Sequence, residues 1–205
     1  MENENKKAAK DIIGSVLKSM VLKGLIDIEE LNERELLLEK IRELLPTLDI
    51  AIIVDHRPDI LKQADWYYSQ KEYNYAILFY TIFFEHSINN VIIVKLQNLK
   101  ISEKSRKEIL RSLSIATKFG WFLEVVGLPK FNEKYKKTIT RLSEERNTFV
   151  HYKWNPDIDD TTTNTPKSEV DLGEIKACVK YMKNYESKNL FFGNKSSVDK
   201  AIRLL

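Results

Sequence analysis

The segment YNYAILFYTIFFEHSINNVIIVKLQNL, residues 73–99, is apolar on nearly every side when it is drawn as a helix. A helix that is hydrophobic all round is buried by its neighbours and does not present one polar face to water. The chain of 205 residues contains only six Gly and five Pro. Because β-sandwiches and barrels need turn residues about every 8–12 positions, this composition favours long helices. The sequence therefore predicts a helical domain built around this central segment.

The central segment is also the longest candidate for a membrane span, and four polar residues interrupt it: Glu85, His86, Asn89 and Asn90. Because a span needs roughly 18 apolar residues, we predict a soluble chain without a membrane partner. The first ten residues, MENENKKAAK, lack the apolar core of a signal peptide. The single cysteine, Cys178, cannot form an intramolecular disulfide, and a free thiol is typical of a reducing compartment. These features predict a cytoplasmic protein.

Apolar periodicity, capping residues and breakers divide the remaining chain into further helices. We predict helices at residues 6–45 with a break near Gly24, at 58–70, 73–99, 102–126 with a kink near Gly120, 131–153, 171–188 and 197–205. Ser102 and the pair Asp171 and Glu174 are predicted N-terminal caps. Residues 48–57 are either a short strand or an extended connector, and residues 155–168 form a polar loop. We therefore predict an all-α protein with a helical N-terminal extension (1–57), a helical bundle (58–190) and a short C-terminal helix (191–205).

Helix 131–153 carries an arginine where a core residue is expected. At about 100° per residue, with Tyr135 placed at 0°, the core-facing stripe falls within about 60° of Tyr135. This stripe contains Ile139, Leu142, Phe149 and Val150. Arg146 lies near about 20°, in the middle of the stripe. An unpaired guanidinium there costs several kcal/mol, so Arg146 needs a carboxylate, an interface or a ligand.

Two polar residues follow Arg146 on the flank of the same helix. Asn147 and His151 lie four residues apart, near about 120° and 160°, and so share one face. Arg146 and His151 point about 140° apart, so one straight helix does not direct both side chains at one point. We expect a second helix or a second subunit to complete the site.

The string Arg146-Asn147-Thr148-Phe149-Val150-His151 resembles the R-x4-6-H signature of HEPN domains, including the polar residue directly after the arginine. The segment ADWYYSQKEYNYAILFYTIFFEHSINNVI, residues 64–92, is similar to the same family, in which a helix ending in aromatic residues leads to a long apolar helix with an internal Glu. The resemblance covers about residues 58–190. It implies a HEPN-like helical bundle and an endoribonuclease with Arg146, Asn147 and His151 as catalytic residues and Glu85 as a supporting residue.

The sequence contains no constellation typical of a metal site. The three histidines, His56, His86 and His151, are far apart, and Cys178 lies at ligand spacing from none of them. The remaining groups suit metal-independent cleavage of RNA, in which the ribose 2′-hydroxyl attacks the adjacent phosphate. His151 would transfer a proton, Arg146 would stabilise the phosphate charge and Asn147 would orient the imidazole. This interpretation requires an RNA substrate and no cofactor.

Charge and family resemblance leave several functions open. Residues 101–153 carry a net charge of +6, from 12 basic and 6 acidic side chains, which suits a polyanion but also a solvated face of a helical adaptor. Arg146 could instead form a purely structural pair with Glu85. The resemblance implies a toxin or abortive-infection effector that acts as a homodimer with a composite active site and is restrained by an antitoxin or another regulatory protein. The alternative is a non-catalytic HEPN module that binds RNA or a protein partner.

Overall fold

The computed structural model describes residues 2–27, 29–44, 46, 55–152, 171–191, 193 and 195–204. Its helices are α1 (Glu2–Leu22), α2 (Arg34–Leu44), α3 (Arg57–Ser69), α4 (Tyr73–Asn98), α5 (Glu103–Ser112), α6 (Ile115–Lys118), α7 (Phe122–Val125), α8 (Glu133–Tyr152), α9 (Leu172–Leu190) and α10 (Lys195–Leu204), with a 3-10 turn at Glu29–Asn32. No strand occurs in these ranges, so the all-α prediction is confirmed. Most of the predicted connector or strand (48–57) and all of the predicted polar loop (155–168) lie outside the described residues.

Two helix ends follow the capping signals in the sequence. Helix α1 ends before Gly24, which adopts a left-handed conformation with φ of 68°, and Leu25 N donates to Met20 O at 2.9 Å. Glycine adopts this conformation without steric cost, which explains the break. Ser102 begins α5, and its side-chain oxygen accepts a hydrogen bond from Ser105 N at 3.2 Å. The predicted break near Gly24 and the predicted cap at Ser102 are confirmed.

The continuous helix predicted for residues 102–126 is wrong, because this stretch forms α5, α6 and α7. Leu113 leaves the helical conformation, with ψ of 130°. Ser114 then begins a new helix by accepting a hydrogen bond from Thr117 N at 3.2 Å. A serine competes with a continuous helix because its hydroxyl satisfies the amides of a new first turn.

The capping box predicted at the start of α9 is only half formed. Asp171 Oδ2 accepts from Gly173 N at 2.9 Å, as a capping residue does. The Glu174 carboxylate instead accepts from Arg141 of α8 at 2.9 Å. A charged partner on a neighbouring helix therefore replaces the local backbone partner of this glutamate.

The chain divides into two compact units, one of residues 56–184 and one of residues 1–55 together with 185–205. In the second unit α1 packs against α10: Gly14 lies against Ile202, and Lys18 forms an ion pair with Asp199 at 3.5 Å. The predicted N-terminal extension and C-terminal helix thus belong to one unit. Apolar residues on both segments form its core, which neither segment could bury alone.

Helix α4 is the centre of the unit 56–184. Helices α3, α5, α6 and α8 all pack against it. Its buried residues are Ala76, Ile77, Tyr80, Thr81, Phe83, Phe84, Ser87, Ile88, Val91, Ile92, Val94 and Leu96. They form one broad face of the helix, whereas Tyr75 and His86 on the opposite side are exposed. The predicted central helix is therefore confirmed, with one side left partly exposed.

A polar cluster connects α3, α4 and α9 within this unit. The hydroxyl of the buried Tyr80 donates to Asp65 Oδ1, and Lys176 donates to the same oxygen. Burial raises the pKa of Asp65, but the hydrogen bonds from Lys176 and Tyr80 outweigh burial and leave that pKa below its ordinary range. Burial, followed by the hydrogen bond to Asp65, raises the pKa of Tyr80. The carboxylate therefore holds three helices together through two donors.

Among the described helices, α4 alone is long and apolar enough to cross a membrane by length and composition. The four interrupting polar residues therefore do not exclude a span, contrary to the expectation from sequence. Within its most apolar 18-residue window, 56% is buried inside the protein. The central helix of a soluble bundle has the same properties.

Candidate functional site

Helix α8 supplies most of the predicted site. Its side toward α4 contains the buried residues Thr138, Ile139, Leu142 and Ser143. The Thr81 hydroxyl of α4 lies 3.3 Å from Leu142 O and fixes the two helices side by side. Burial decreases toward the C-terminal end of α8, where Phe149 is half-buried and Val150 is 43% exposed. The core-facing stripe predicted for this helix is therefore confirmed up to Leu142, whereas Val150 lies outside the core.

Arg146 lies one turn after Leu142 on this stripe, as predicted, and it is half-buried. Its Nε is buried and has no hydrogen-bond partner among the described residues. A buried donor without a partner costs about 1–3 kcal/mol. Arg146 therefore has one buried donor without a described partner, a property that it shares with Arg141 Nε on the same helix.

Glu85, the acid considered as a structural partner of Arg146, pairs with a different cation. Lys118 Nζ of α6 lies 3.3 Å from Glu85 Oε1. The Lys118 side chain is 2% exposed and the Glu85 side chain 33% exposed. The structural pair of Arg146 with Glu85 is therefore not formed, and Lys118 takes the place that the sequence suggested for Arg146.

Sequence reasoning missed Lys118 altogether. The sequence around Lys118 contains the pattern that identified Arg146, namely a basic residue among apolar residues with helical spacing. Lys118 directly precedes Phe119 and lies four residues before Phe122, and both phenylalanines are buried. Because α6 has only four residues, it is too short for its buried face to be identified from periodicity.

A cleft of about 330 Å³ brings three of the four predicted site residues together. Its lining consists of Glu85 from α4, Leu113, Ser114, Ile115 and Ala116 from the start of α6, and Thr140, Ser143, Glu144, Arg146 and Asn147 from α8. Asn147 is exposed. A volume of this size lies at the lower end of the range of about 300–1,000 Å³ found for small-molecule sites. The cleft is therefore of a size found for small-ligand sites.

His151 belongs to the last turn of α8, one turn after Asn147. Its side chain lies outside the described residues, so the predicted direction of the imidazole stays a prediction. The other three polar residues that interrupt the central segment do not line the cleft: His86 is exposed, and Asn89 and Asn90 are half-buried. Glu85 therefore lines the cleft, whereas His86, Asn89 and Asn90 do not.

Neither a metal cluster nor a reactive thiol is found in the described ranges. No group of three or more His, Cys, Asp or Glu side chains there could hold a metal ion. Cys178 is buried, and its Sγ lies 3.8 Å from Tyr135 O. Burial raises the pKa of this thiol to about 11, so it stays protonated at neutral pH. The polar groups that the described residues offer to a ligand in the cleft are therefore guanidinium, amide, hydroxyl and carboxylate groups.

Comparisons with known proteins do not extend this description. No relative is found. Neither the models of known protein families nor the curated proteins contain a match to this chain, and no solved structure matches it. The function is therefore inferred from the chemistry of the cleft and from the motif on α8.

Proposed function

We propose that residues 56–184 form a HEPN-like bundle that cleaves RNA without a metal ion, with Arg146, Asn147 and His151 as its catalytic residues. One observation carries the proposal. The guanidinium of Arg146, whose buried Nε has no hydrogen-bond partner among the described residues, lines the cleft beside Asn147 on the helix that contains the R-x4-H string. A planar fork of donors beside a cleft suits a phosphate, which accepts two hydrogen bonds from it.

The reaction assigns one task to each residue. The ribose 2′-hydroxyl attacks the adjacent phosphorus, the bond to the 5′-oxygen of the next nucleotide breaks, and a 2′,3′-cyclic phosphate forms. His151, one turn beyond Asn147, would accept the 2′-hydroxyl proton or donate one to the leaving oxygen. Arg146 would stabilise the negative charge that grows on the phosphate oxygens. Asn147 would orient the imidazole or the phosphate through its amide.

The purified protein should cleave total RNA in the presence of EDTA and leave 2′,3′-cyclic phosphate ends. Because the proposed proton transfer and charge stabilisation come from side chains, chelation should not change the rate. Gel electrophoresis of the products, followed by treatment with a phosphatase that does not act on cyclic phosphates, measures both properties. A DNA of the same sequence should stay intact, since it has no 2′-hydroxyl.

The His151→Ala variant, purified in parallel, is the control for a contaminating ribonuclease. Cleavage that stops on chelation and returns with a divalent metal would contradict the metal-free mechanism. Equal cleavage by the wild-type protein and the His151→Ala variant would show that the activity does not belong to this site.

The family resemblance also supports a biological context. We propose that the protein acts in the cytoplasm as a toxin or abortive-infection effector and that an antitoxin or another regulatory protein restrains it. An endoribonuclease that accepts cellular RNA would harm its host unless its activity were controlled. Growth arrest on expression, absent with the His151→Ala variant, would agree with this role.

The active site is proposed to be completed by a second copy of the chain. Arg146 lies on the core side of α8, whereas the helical period predicts that His151 lies on the flank. One subunit would therefore present few catalytic groups to one phosphate. Apolar side chains are exposed beside the end of α8: Trp66 is 54%, Tyr75 37% and Val150 43% exposed. Tyr75 also contacts Phe149 of α8, with ring centroids 5.5 Å apart. A two-fold axis past this surface would bury it and bring two catalytic sets together.

We therefore expect a symmetric homodimer, with the two His151 side chains facing a shared cleft, when mass is measured in solution by light scattering. Trp66→Ser should shift the protein toward monomers, because it removes apolar area from the interface. A mixture of the Arg146→Ala and His151→Ala variants should regain activity that neither has alone. A strictly monomeric protein with full activity would contradict the composite site, and so would a dimer whose His151 residues face opposite outer surfaces.

A non-catalytic module that binds a protein partner is the second candidate, and the charge of the cleft favours it. The cleft of one subunit contains one cation, Arg146, and two carboxylates, Glu85 and Glu144. This balance gives one subunit little attraction for a polyanion. If the purified protein neither binds nor cleaves RNA, as a monomer or as a dimer, the non-catalytic role with a protein partner is favoured over the ribonuclease.

A further inference from the structure

A buried lysine forms an ion pair with Glu85, which lines the cleft. Lys118 is 2% exposed, and its ammonium lies 3.3 Å from Glu85 Oε1. A buried charge costs several kcal/mol unless a partner of opposite charge compensates it. Glu85 is the partner that the described residues provide, and it therefore carries the balancing negative charge.

Glu85 retains acceptor capacity for a ligand. The bond to Lys118 uses Oε1, and no hydrogen bond to Oε2 is found among the described residues. One third of the side chain is exposed, and the residue lines the cleft with Arg146. An ionised carboxylate only accepts hydrogen bonds and repels a phosphate. Its binding partner in the cleft must therefore be a group with donors, such as a base edge.

We propose, on the basis of the RNA cleavage proposed above, that Glu85 makes the cleft specific for guanine beside the scissile phosphate, with Lys118 as its positioning residue. Single-stranded RNA is read through the Watson–Crick edges of its bases. Guanine presents two adjacent donors there, N1–H and N2–H, which match the acceptor oxygens of a carboxylate. Adenine and cytosine present one amino donor beside a ring-nitrogen acceptor, and uracil presents one donor between two carbonyls. These acceptors would face the carboxylate.

The test uses the full-length protein and fluorescent oligoadenylates that carry a single guanosine, cytidine or uridine. We expect wild-type cleavage at the guanosine to exceed that at the other nucleotides by about tenfold to a hundredfold, the range that one bidentate base contact provides. Glu85→Gln should lower the ratio of cleavage at the guanosine to cleavage at the other nucleotides to about one, because an amide offers a donor where guanine also has one. Glu144→Gln, which changes the other carboxylate of the cleft, should keep the preference.

The outcomes separate this inference from the proposed function. No cleavage of any substrate would contradict the ribonuclease itself. Cleavage without a guanine preference, or a preference that Glu85→Gln leaves unchanged, would overturn the inference and leave the ribonuclease standing. Loss of the preference in Glu144→Gln would show that Glu144 contacts the guanine. This result would also overturn the inference.

If Glu85→Gln does not fold, a second variant can test the same inference. The double variant Glu85→Gln with Lys118→Met removes the buried charge together with its partner, so the core is no longer left with an unpaired ammonium. Lys118→Met alone should lose the guanine preference, because Glu85 is no longer held in place. A preference that persists in both Lys118→Met and the double variant would overturn the inference.

Discussion

Replacing Arg146 by alanine should reduce RNA cleavage by about 10²- to 10³-fold, the loss found when one donor to a developing oxyanion is removed. The guanidinium contributes to the transition state because the phosphate oxygens gain charge there. Single-turnover cleavage of a fluorescent RNA measures the effect on the chemical step. Arg146→Lys should recover only part of the rate, because an ammonium cannot present two parallel donors to a phosphate.

The same substitution should leave the protein folded. Glu85 is bonded to Lys118, so removal of Arg146 does not leave this carboxylate without its counter-charge. The change also removes a buried Nε that has no hydrogen bond among the described residues. A thermal melt by circular dichroism should therefore be close to that of the wild-type protein.

Arg141→Ala is the matched control on the same helix. Arg141 donates to Glu174 at 2.9 Å and does not line the cleft, so this variant should keep its activity. If Arg146→Ala unfolds the protein and Glu85→Gln restores folding, Arg146 has the structural role after all. If Arg146→Ala and Arg141→Ala cleave RNA at equal rates, Arg146 is not catalytic.

The largest expected loss of stability follows from Glu85→Ala, which should lower the free energy of unfolding by about 3–5 kcal/mol. The substitution leaves the ammonium of Lys118, with a side chain that is 2% exposed, without its carboxylate. The remaining charge must then be desolvated without compensation, or the lysine must lose its proton. Urea unfolding at neutral pH, followed by circular dichroism, measures the difference.

A surface glutamate provides the comparison for this prediction. Glu124 lies 3.5 Å from Lys130, but its side chain is 54% exposed and that of Lys130 is 78% exposed. Glu124→Ala should therefore cost less than about 1 kcal/mol. The double variant Glu85→Ala with Lys118→Met should recover most of the stability, because no buried charge remains. If Glu85→Ala costs no more than Glu124→Ala, the buried pair does not stabilise the fold.

Local rules were sufficient for several features of the structure. The apolar residues on nearly every side of α4 predicted that it is the central helix, since such a helix has no broad polar face. Gly24 and Ser102 predicted helix ends because their effect depends on the backbone within one turn. The helical period alone placed Arg146 on the buried side of α8, next to Leu142.

Other features depend on segments that are distant in the sequence. The pairing of Glu85 with Lys118 requires α6 to pack against α4, which brings together residues 33 positions apart. Glu174 leaves its predicted capping role because Arg141 of α8 is close enough to bind it. In both cases a charged side chain can reach several partners, and the packing of the helices decides which one lies within hydrogen-bond distance.

The sequence by itself determined the helical class, the buried centre of the bundle and the position of Arg146 and Asn147 on one helix, because each depends on local periodicity and capping. Only the tertiary structure decided that Glu85 lines the same cleft as these two residues and that Lys118 compensates its charge. It also decided that the two ends of the chain share one compact unit. The physical reason is that charge compensation and apolar burial are optimised over the packed helices, whereas helix periods and caps are set within a single turn.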